Sequence, residues 1–266
     1  MTPEDHARAS VDLLEAERTG RQIGLLTRRY PEMDMDDAYA IQNAICLAKL
    51  EQGRRVIGWK IGLTSRAMQS ALGIDIPDSG VLFDDMAFDN GATVPAGRFI
   101  QPRVEAEIAF VMGDAICGTD ITREHVLSAT DYVSPALEIL DTRILRRDTE
   151  TGQARKVFDT ISDNAANAGI VLGSVRHKAD GIDLRWVGAI ISRNGDVEET
   201  GLGAGVLNDP LHSVVWLARR MARYGQNIMP GQFVLSGSFI RPIECIPGTR
   251  IHADFGRFGD VGISFD

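Results

Sequence analysis

The stretch Arg103-Val-Glu-Ala-Glu-Ile-Ala-Phe-Val-Met112 places two carboxylates two positions apart in a run of residues that proteins usually bury. Its density of Val, Ile and Phe predicts a strand. Residues i and i+2 of a strand project from the same face, so Glu105 and Glu107 should stand side by side against a core. Two neighbouring anions repel, and burying them unpaired costs several kcal/mol. Such a strand calls for a positive partner: an arginine, a lysine or a metal ion.

Moving outward, further short β-type runs punctuated by Gly, Pro, Asn and Asp are expected at Arg54 to Leu63, Tyr132 to Leu140 and Gly169 to Leu172, and again at Gln232 to Leu235, Arg250 to Phe255 and Val261 to Phe265. Ala189 to Arg193 and Val197 to Thr200 flank Asn194-Gly195-Asp196, a strong hairpin signal. Helices are predicted at three places. One starts at Thr2-Pro3-Glu4-Asp5. A second runs from Met35 to Gln52, where Ala38, Ile41, Ile45 and Ala48 recur at helical spacing between a capping Asp34 and Gly53. A third carries Val214, Leu217, Met221 and Tyr224 and closes at Gly225. Many strands with few crossover helices argue for an α+β protein, with an N-terminal helical cap over residues 1–55 and a mixed, β-rich catalytic core over residues 56–266.

The 266 residues are 44% hydrophobic, enough for one sizeable core, and the formal charge of -9 argues against a nucleic-acid surface built from clustered Lys and Arg. The absence of a spanning apolar run and of a leader-like start makes a cytoplasmic protein the expectation, with no membrane partner. The three cysteines, Cys46, Cys117 and Cys245, lie far apart, which argues against a disulfide framework or a structural zinc site. No HExxH, Walker motif or GxGxxG after a strand is present.

Glu105 and Glu107 have a third potential partner in Glu138, inside Pro135-Ala-Leu-Glu-Ile-Leu140. Three converging carboxylates suit a hard divalent cation, Mg2+ or Mn2+; the ordinary reading pairs each acid with an arginine such as Arg103 or Arg143, or turns it to solvent. Lys60, within Val56-Ile-Gly-Trp-Lys-Ile-Gly-Leu-Thr-Ser65, has apolar neighbours that would desolvate its amine and lower its pKa towards acid–base use, although lysines also snorkel. Pro77-Asp78-Ser79-Gly80 reads as a turn first, with Asp78 a proton carrier if that turn reaches the same pocket. Ser162, Asp163 and Asn164 read either as caps of a short helix or as donors to an anionic substrate. Arg241, beside the Gly/Ser loop Ser236-Gly-Ser-Phe-Ile240, suits either a carboxylate ligand or a surface ion pair.

Together, Gly58-Trp-Lys-Ile-Gly-Leu-Thr-Ser65, Arg103-Val-Glu-Ala-Glu107, Pro135-Ala-Leu-Glu138 and Thr160-Ile-Ser-Asp-Asn-Ala165 resemble the 2-oxopent-4-enoate hydratase and 4-oxalocrotonate decarboxylase family of the fumarylacetoacetate hydrolase superfamily. The likeness extends over nearly the whole chain. It implies a β-roll core, a homo-oligomer, and a Mg2+ or Mn2+ held by Glu105, Glu107 and Glu138. Arg155 to Gly169 and Gly237 to Pro242 look most like the branch that hydrates 2-oxohept-4-ene-1,7-dioate in homoprotocatechuate (4-hydroxyphenylacetate) meta-cleavage. The implied roles are proton transfer by Lys60 assisted by Asp78, organisation of substrate or water by Ser162, Asp163 and Asn164, and recognition of a second carboxylate by Arg241. The alternatives are a metal-dependent decarboxylase of 2-oxo-3-enedioates and a catalytically silent subunit that supports a decarboxylase partner.

Overall fold

The computed structural model describes residues 1–66, 69–70 and 76–266. Its centre is an eight-stranded mixed sheet of β1 (Val56–Gly62), β2 (Asp78–Phe83), β3 (Ala87–Phe88), β5 (Arg103–Met112), β6 (Thr130–Leu140), β7 (Asn167–Leu172), β10 (Phe233–Leu235) and β11 (Ile243–Glu244). The order is β2-β1-β10-β5-β6-β7-β3, with β11 joined to β5. The second sheet has five strands in the order β4-β13-β12-β8-β9: β4 (Thr93–Val94), β8 (Gly188–Arg193), β9 (Asp196–Leu202), β12 (Arg250–Asp254) and β13 (Asp260–Phe265).

Alternation along β5 explains how the sheets meet. Val104, Ala106, Ile108 and Phe110 point one way and join a core with Ile191, Ile251, Ala253, Val261 and Ile263 of the second sheet. The helix Pro210–Arg223 closes the same core through Leu211, Val214, Leu217, Ala218 and Met221, spaced three and four apart. Asp209 caps it by accepting from Leu211 N at 2.9 Å.

The opposite face of β5 carries Glu105, Glu107 and Ala109, and Ala109 joins a cluster with Ala136, Ile170 and Leu235 against which Cys46 packs; Cys46 belongs to α3 (Met35–Glu51), which with α1 (Pro3–Thr19) and α2 (Leu26–Arg29) forms the N-terminal helices. Thr2 and Asp34 cap α1 and α3 as the sequence predicts, and in both helices the structure makes the cap a reciprocal box. The helices share a core with Ile144 and Ile161, so residues well beyond position 55 complete this layer. Gln42 of α3 donates through Nε2 to Ser79 O at 2.9 Å and Ile161 O at 3.0 Å, tying the layer to β2. Among the described residues no helix is long and apolar enough to cross a membrane.

Asn194 and Gly195 both have positive φ, 56° and 97°, as the predicted hairpin between β8 and β9 requires. Pro77-Asp78-Ser79-Gly80 departs from expectation. Asp78 to Gly80 belong to a buried strand that pairs Gly62 with Asp78 and Lys60 with Gly80. Gly80 serves close packing there: a Cβ on it would lie 2.5 Å from the Asn164 carbonyl oxygen.

Candidate active site

Strand pairing assembles the site. Residues directly opposite in register share a face, and β5–β6 sets Glu105 against Glu138 while Glu107 follows two positions on. One carboxylate oxygen from each of the three lies within 4.8 Å of the others. On the same face Ala109 pairs with Leu235, Leu235 with Lys60, and Lys60 with Gly80, which brings β1 and β2 beside the acids. Lys60 Nζ stands 3.3 Å from Glu138 Oε1.

These carboxylates are poorly compensated. Glu107 Oε2 accepts from Gly237 N at 2.8 Å, yet Glu107 Oε1, Glu138 Oε2 and Asp78 Oδ1 are buried without a hydrogen-bond partner among the described residues. Burial and the charge of Glu138 push Glu105 up to about 8. Burial and then the neighbouring glutamates raise Glu107 well above the carboxylate range, and burial raises Glu138 against the pull of Lys60. Asp78 is raised by burial as well, with Lys60 opposing.

Lys60 corrects the sequence expectation of a depressed amine. Burial alone would lower it, but the attraction of Glu138, Asp78, Glu105 and Glu107 wins and its pKa rises, so it is held as an ammonium. Its tip and Asp78 Oδ1 flank Gly62: a Cβ there would lie 3.0 Å from Lys60 Nζ and 2.2 Å from Asp78 Oδ1. Gly62 therefore keeps open the gap between the two groups, a role no motif disclosed.

The donor set tests well for a metal. Oxygen-only ligands with unpartnered, mutually repelling charges fit a hard divalent ion such as Mg2+ or Mn2+ and suit a soft one poorly.

The other expected residues behave differently. Ser162 is the last residue of the helix Val157–Ser162, and its Oγ donates to Phe158 O at 2.9 Å, so it does not cap a helix start. Asp163 is gripped by Arg143, whose backbone N–H and Nε donate to its carboxylate while Nη2 donates to its carbonyl. Asn164 clamps β2: Oδ1 accepts from Val81 N at 2.8 Å and Nδ2 donates to Val81 O at 2.9 Å. Asn164, Ala165 and Ala166 all have positive φ, at 51°, 53° and 59°, a left-handed turn costing roughly 1–2 kcal/mol per residue. Arg241 is 83% exposed in its side chain and bound to Glu199.

A 2-oxo-hept-4-ene-1,7-dioate hydratase of Escherichia coli is 47% identical over 260 residues, covering 98% of this chain and 97% of that protein. A 2-keto-4-pentenoate hydratase of Paraburkholderia xenovorans is 42% identical over 266 residues, 100% of this chain and 97% of its own. The chain belongs to the 2-oxopent-4-enoate hydratase and 4-oxalocrotonate decarboxylase family. Within the family, the 4-oxalocrotonate decarboxylase of Pseudomonas putida, solved with magnesium and adipate, matches with a TM-score of 0.93 at 31% identity, over 100% of this chain and 99% of that one. The fold extends to the Pseudomonas aeruginosa fumarylpyruvate hydrolase, with a TM-score of 0.58 over 78% of this chain and 88% of that one at 15% identity. The architecture is thus the α+β fold of the fumarylacetoacetate hydrolase superfamily that the motifs imply. No family model matches the chain.

Proposed function

We propose that this family member is a hydro-lyase that adds water to 2-oxohept-4-ene-1,7-dioate, or a closely related 2-hydroxy-2,4-dienoate, giving 4-hydroxy-2-oxoheptane-1,7-dioate. The observation that carries the reading is the placement of Glu105, Glu107 and Glu138 beside the ion-paired Lys60; the hydratases at 47% and 42% identity support it. Glu105, Glu107 and Glu138 would hold Mg2+ or Mn2+, and a divalent ion bound there supplies Lewis acidity towards the oxygens of a 2-oxo acid.

The chain's own residues handle the protons. As the double bond between carbons 4 and 5 moves into conjugation, a proton leaves carbon 3 and one arrives at carbon 5. Water then bonds to carbon 4 and its released proton ends on carbon 3, so the net change is one water. Lys60 Nζ, held as an ammonium, is the proton donor, and Asp78 across the Gly62 gap is the second proton carrier. Gly237 N–H orients Glu107. Ser162, Asp163 and Asn164 serve as positioning residues through their holds on the turn and on β2. A homo-oligomer, a complex with a related decarboxylase and a place in homoprotocatechuate breakdown belong to the same proposal.

The test is incubation of metal-stripped protein with 2-oxohept-4-ene-1,7-dioate, with and without Mg2+, followed by mass spectrometry. A metal-dependent gain of one water is expected. Loss of carbon dioxide from 4-oxalocrotonate under the same conditions, without hydration, would move the chain to the decarboxylase reading. Inertness relieved only by a decarboxylase partner would make it a supporting subunit.

A further inference from the structure

Arg103 begins β5 two residues before Glu105, so the two share a face at roughly 6–7 Å along the strand. Across β11 its register partner is Glu244, whose Oε1 accepts from Arg146 Nη1 at 2.8 Å. Arg155 joins them because its backbone N–H donates to Arg146 O at 3.0 Å, while its Nη1 donates to Thr142 Oγ1. Arg146 and Arg155 stand on the two arms of a hairpin closed by the Arg147–Ala154 bridge, and Arg28 pins that hairpin through Asp148 and Glu150.

The charges of Arg146, Arg155 and Glu105 all reach Arg103, so three guanidiniums lie near the acidic site, with Glu244 paired to Arg146. Arg103 Nε and Arg146 Nε are buried without a hydrogen-bond partner among the described residues. Burial holds Arg155 below its ordinary value against the pull of Asp163, with the charges of Arg146 and Arg143 adding to it. Half-buried cations that repel one another and keep donors free are the electrostatic converse of the glutamates next door. They fit a carboxylate, which a guanidinium binds through paired N–H donors.

Resting on the hydratase reading, we propose that Arg103, Arg146 and Arg155 form the subsite for the distal carboxylate of a dicarboxylic 2-oxo acid and select it over monoacids. The scale agrees. Carbons 2 to 7 of a 1,7-dioate are five bonds apart, about 6 Å in an extended chain, comparable to the step along β5 from the glutamates to Arg103. This subsite replaces Arg241, which Glu199 engages at the surface.

The test compares kcat/KM for 2-oxohept-4-ene-1,7-dioate and 2-oxopent-4-enoate in Arg103→Gln, Arg146→Gln, Arg155→Gln and the Arg103→Gln/Arg155→Gln double variant. Single changes are expected to lower the dioate value on the order of 10-fold and the double change on the order of 100-fold, with the monoacid value little altered. Thermal melting and calorimetric Mg2+ titration report whether fold and metal site survive; should Arg155→Gln fail to fold, the Arg103 and Arg146 variants carry the test. A parallel titration of saturated 2-oxoheptanedioate and 2-oxopentanoate into Mg2+-loaded protein needs no turnover. An inactive wild type that still prefers the diacid, and loses that preference in the variants, would sink the hydratase reading and sustain the subsite. Equal losses on both substrates in folded variants, an unchanged dioate-to-monoacid ratio, or collapse of that ratio in Arg241→Gln alone would overturn the proposal.

Discussion

Two buried acidic groups on neighbouring elements of this protein are treated in opposite ways. Asp163 receives two donors from Arg143 to its carboxylate and a third to its carbonyl, so its charge is answered on the spot. Among the described residues, Glu105, Glu107 and Glu138 share one lysine contact and a single backbone N–H donor between them, leaving oxygens unpartnered. Asp163, Glu107 and Glu138 are all fully buried and Glu105 is half-buried, so burial penalises charge in both sets. The first is compensated by the chain and holds the fold together; the second is left open, as the proposed metal site requires. Completeness of pairing, more than burial, separates a structural charge cluster from a functional one.

Breaking the unanswered cluster should have the largest effect. Glu107→Gln is expected to lower turnover more than about 1,000-fold through loss of the metal, while the amide, which buries no charge, leaves metal-free protein at least as stable as wild type. Mg2+ at about 100 times its Kd should stabilise the wild type by about 2.7 kcal/mol and the variant by far less. Differential scanning calorimetry with and without Mg2+ checks both signs, and a variant still stabilised like wild type would remove Glu107 from the metal site.

Lys60→Ala separates proton transfer from ion binding. Turnover is expected to fall about 100- to 10,000-fold, with Mg2+ affinity by calorimetric titration nearly intact; joint loss of the two would contradict the assigned role.

The answered cluster should break as structure. Asp163→Ala strands the buried Arg143 and should cost about 3–5 kcal/mol of stability, a drop in melting temperature on the order of 10 °C. Mg2+ titrated below that melting temperature should still bind. If stability holds and only metal or substrate affinity suffers, the contrast between the clusters is wrong.

The smallest effect belongs to the hairpin carrying Arg146 and Arg155. Side-chain hydrogen bonding from Arg28 first, then the Thr151 backbone N–H, holds Asp148 far below the usual carboxylate range. Because the folded value is depressed, this contribution is present above the ordinary carboxylate pKa and is lost as pH falls below it. Arg28→Met should therefore shallow the acid side of a stability-against-pH curve measured by urea unfolding, by lowering the plateau near neutrality while the two curves converge in acid, and the loss on that plateau should be smaller than in Asp163→Ala.

Much of this was readable in order along the chain. The pattern of Arg103 to Met112 announces β5 and the pairing of its two glutamates, and Asp34 and Asn194-Gly195 mark a helix start and a hairpin that the fold contains. Asp78 to Gly80 misled because Pro, Asp, Ser and Gly are turn residues by composition, whereas here pairing with β1 and the approach of Asn164 dictate a strand. The Lys60 amine departs from its sequence expectation for a related reason: its sequence neighbours are apolar, but its spatial neighbours are four carboxylates from three other strands.

The sequence by itself determined which residue types were available and which faces they share within one strand, since a two-residue period needs no partner: Glu105 with Glu107 and Arg103, Lys60 with Gly62. Only the tertiary structure decided which strands lie side by side. Register set Glu138 opposite Glu105, Gly80 opposite Lys60 and Glu244 opposite Arg103. Whether a buried charge is answered or left open depends on distances across those pairings, and electrostatic energy falls with distance in space, whatever the separation along the chain.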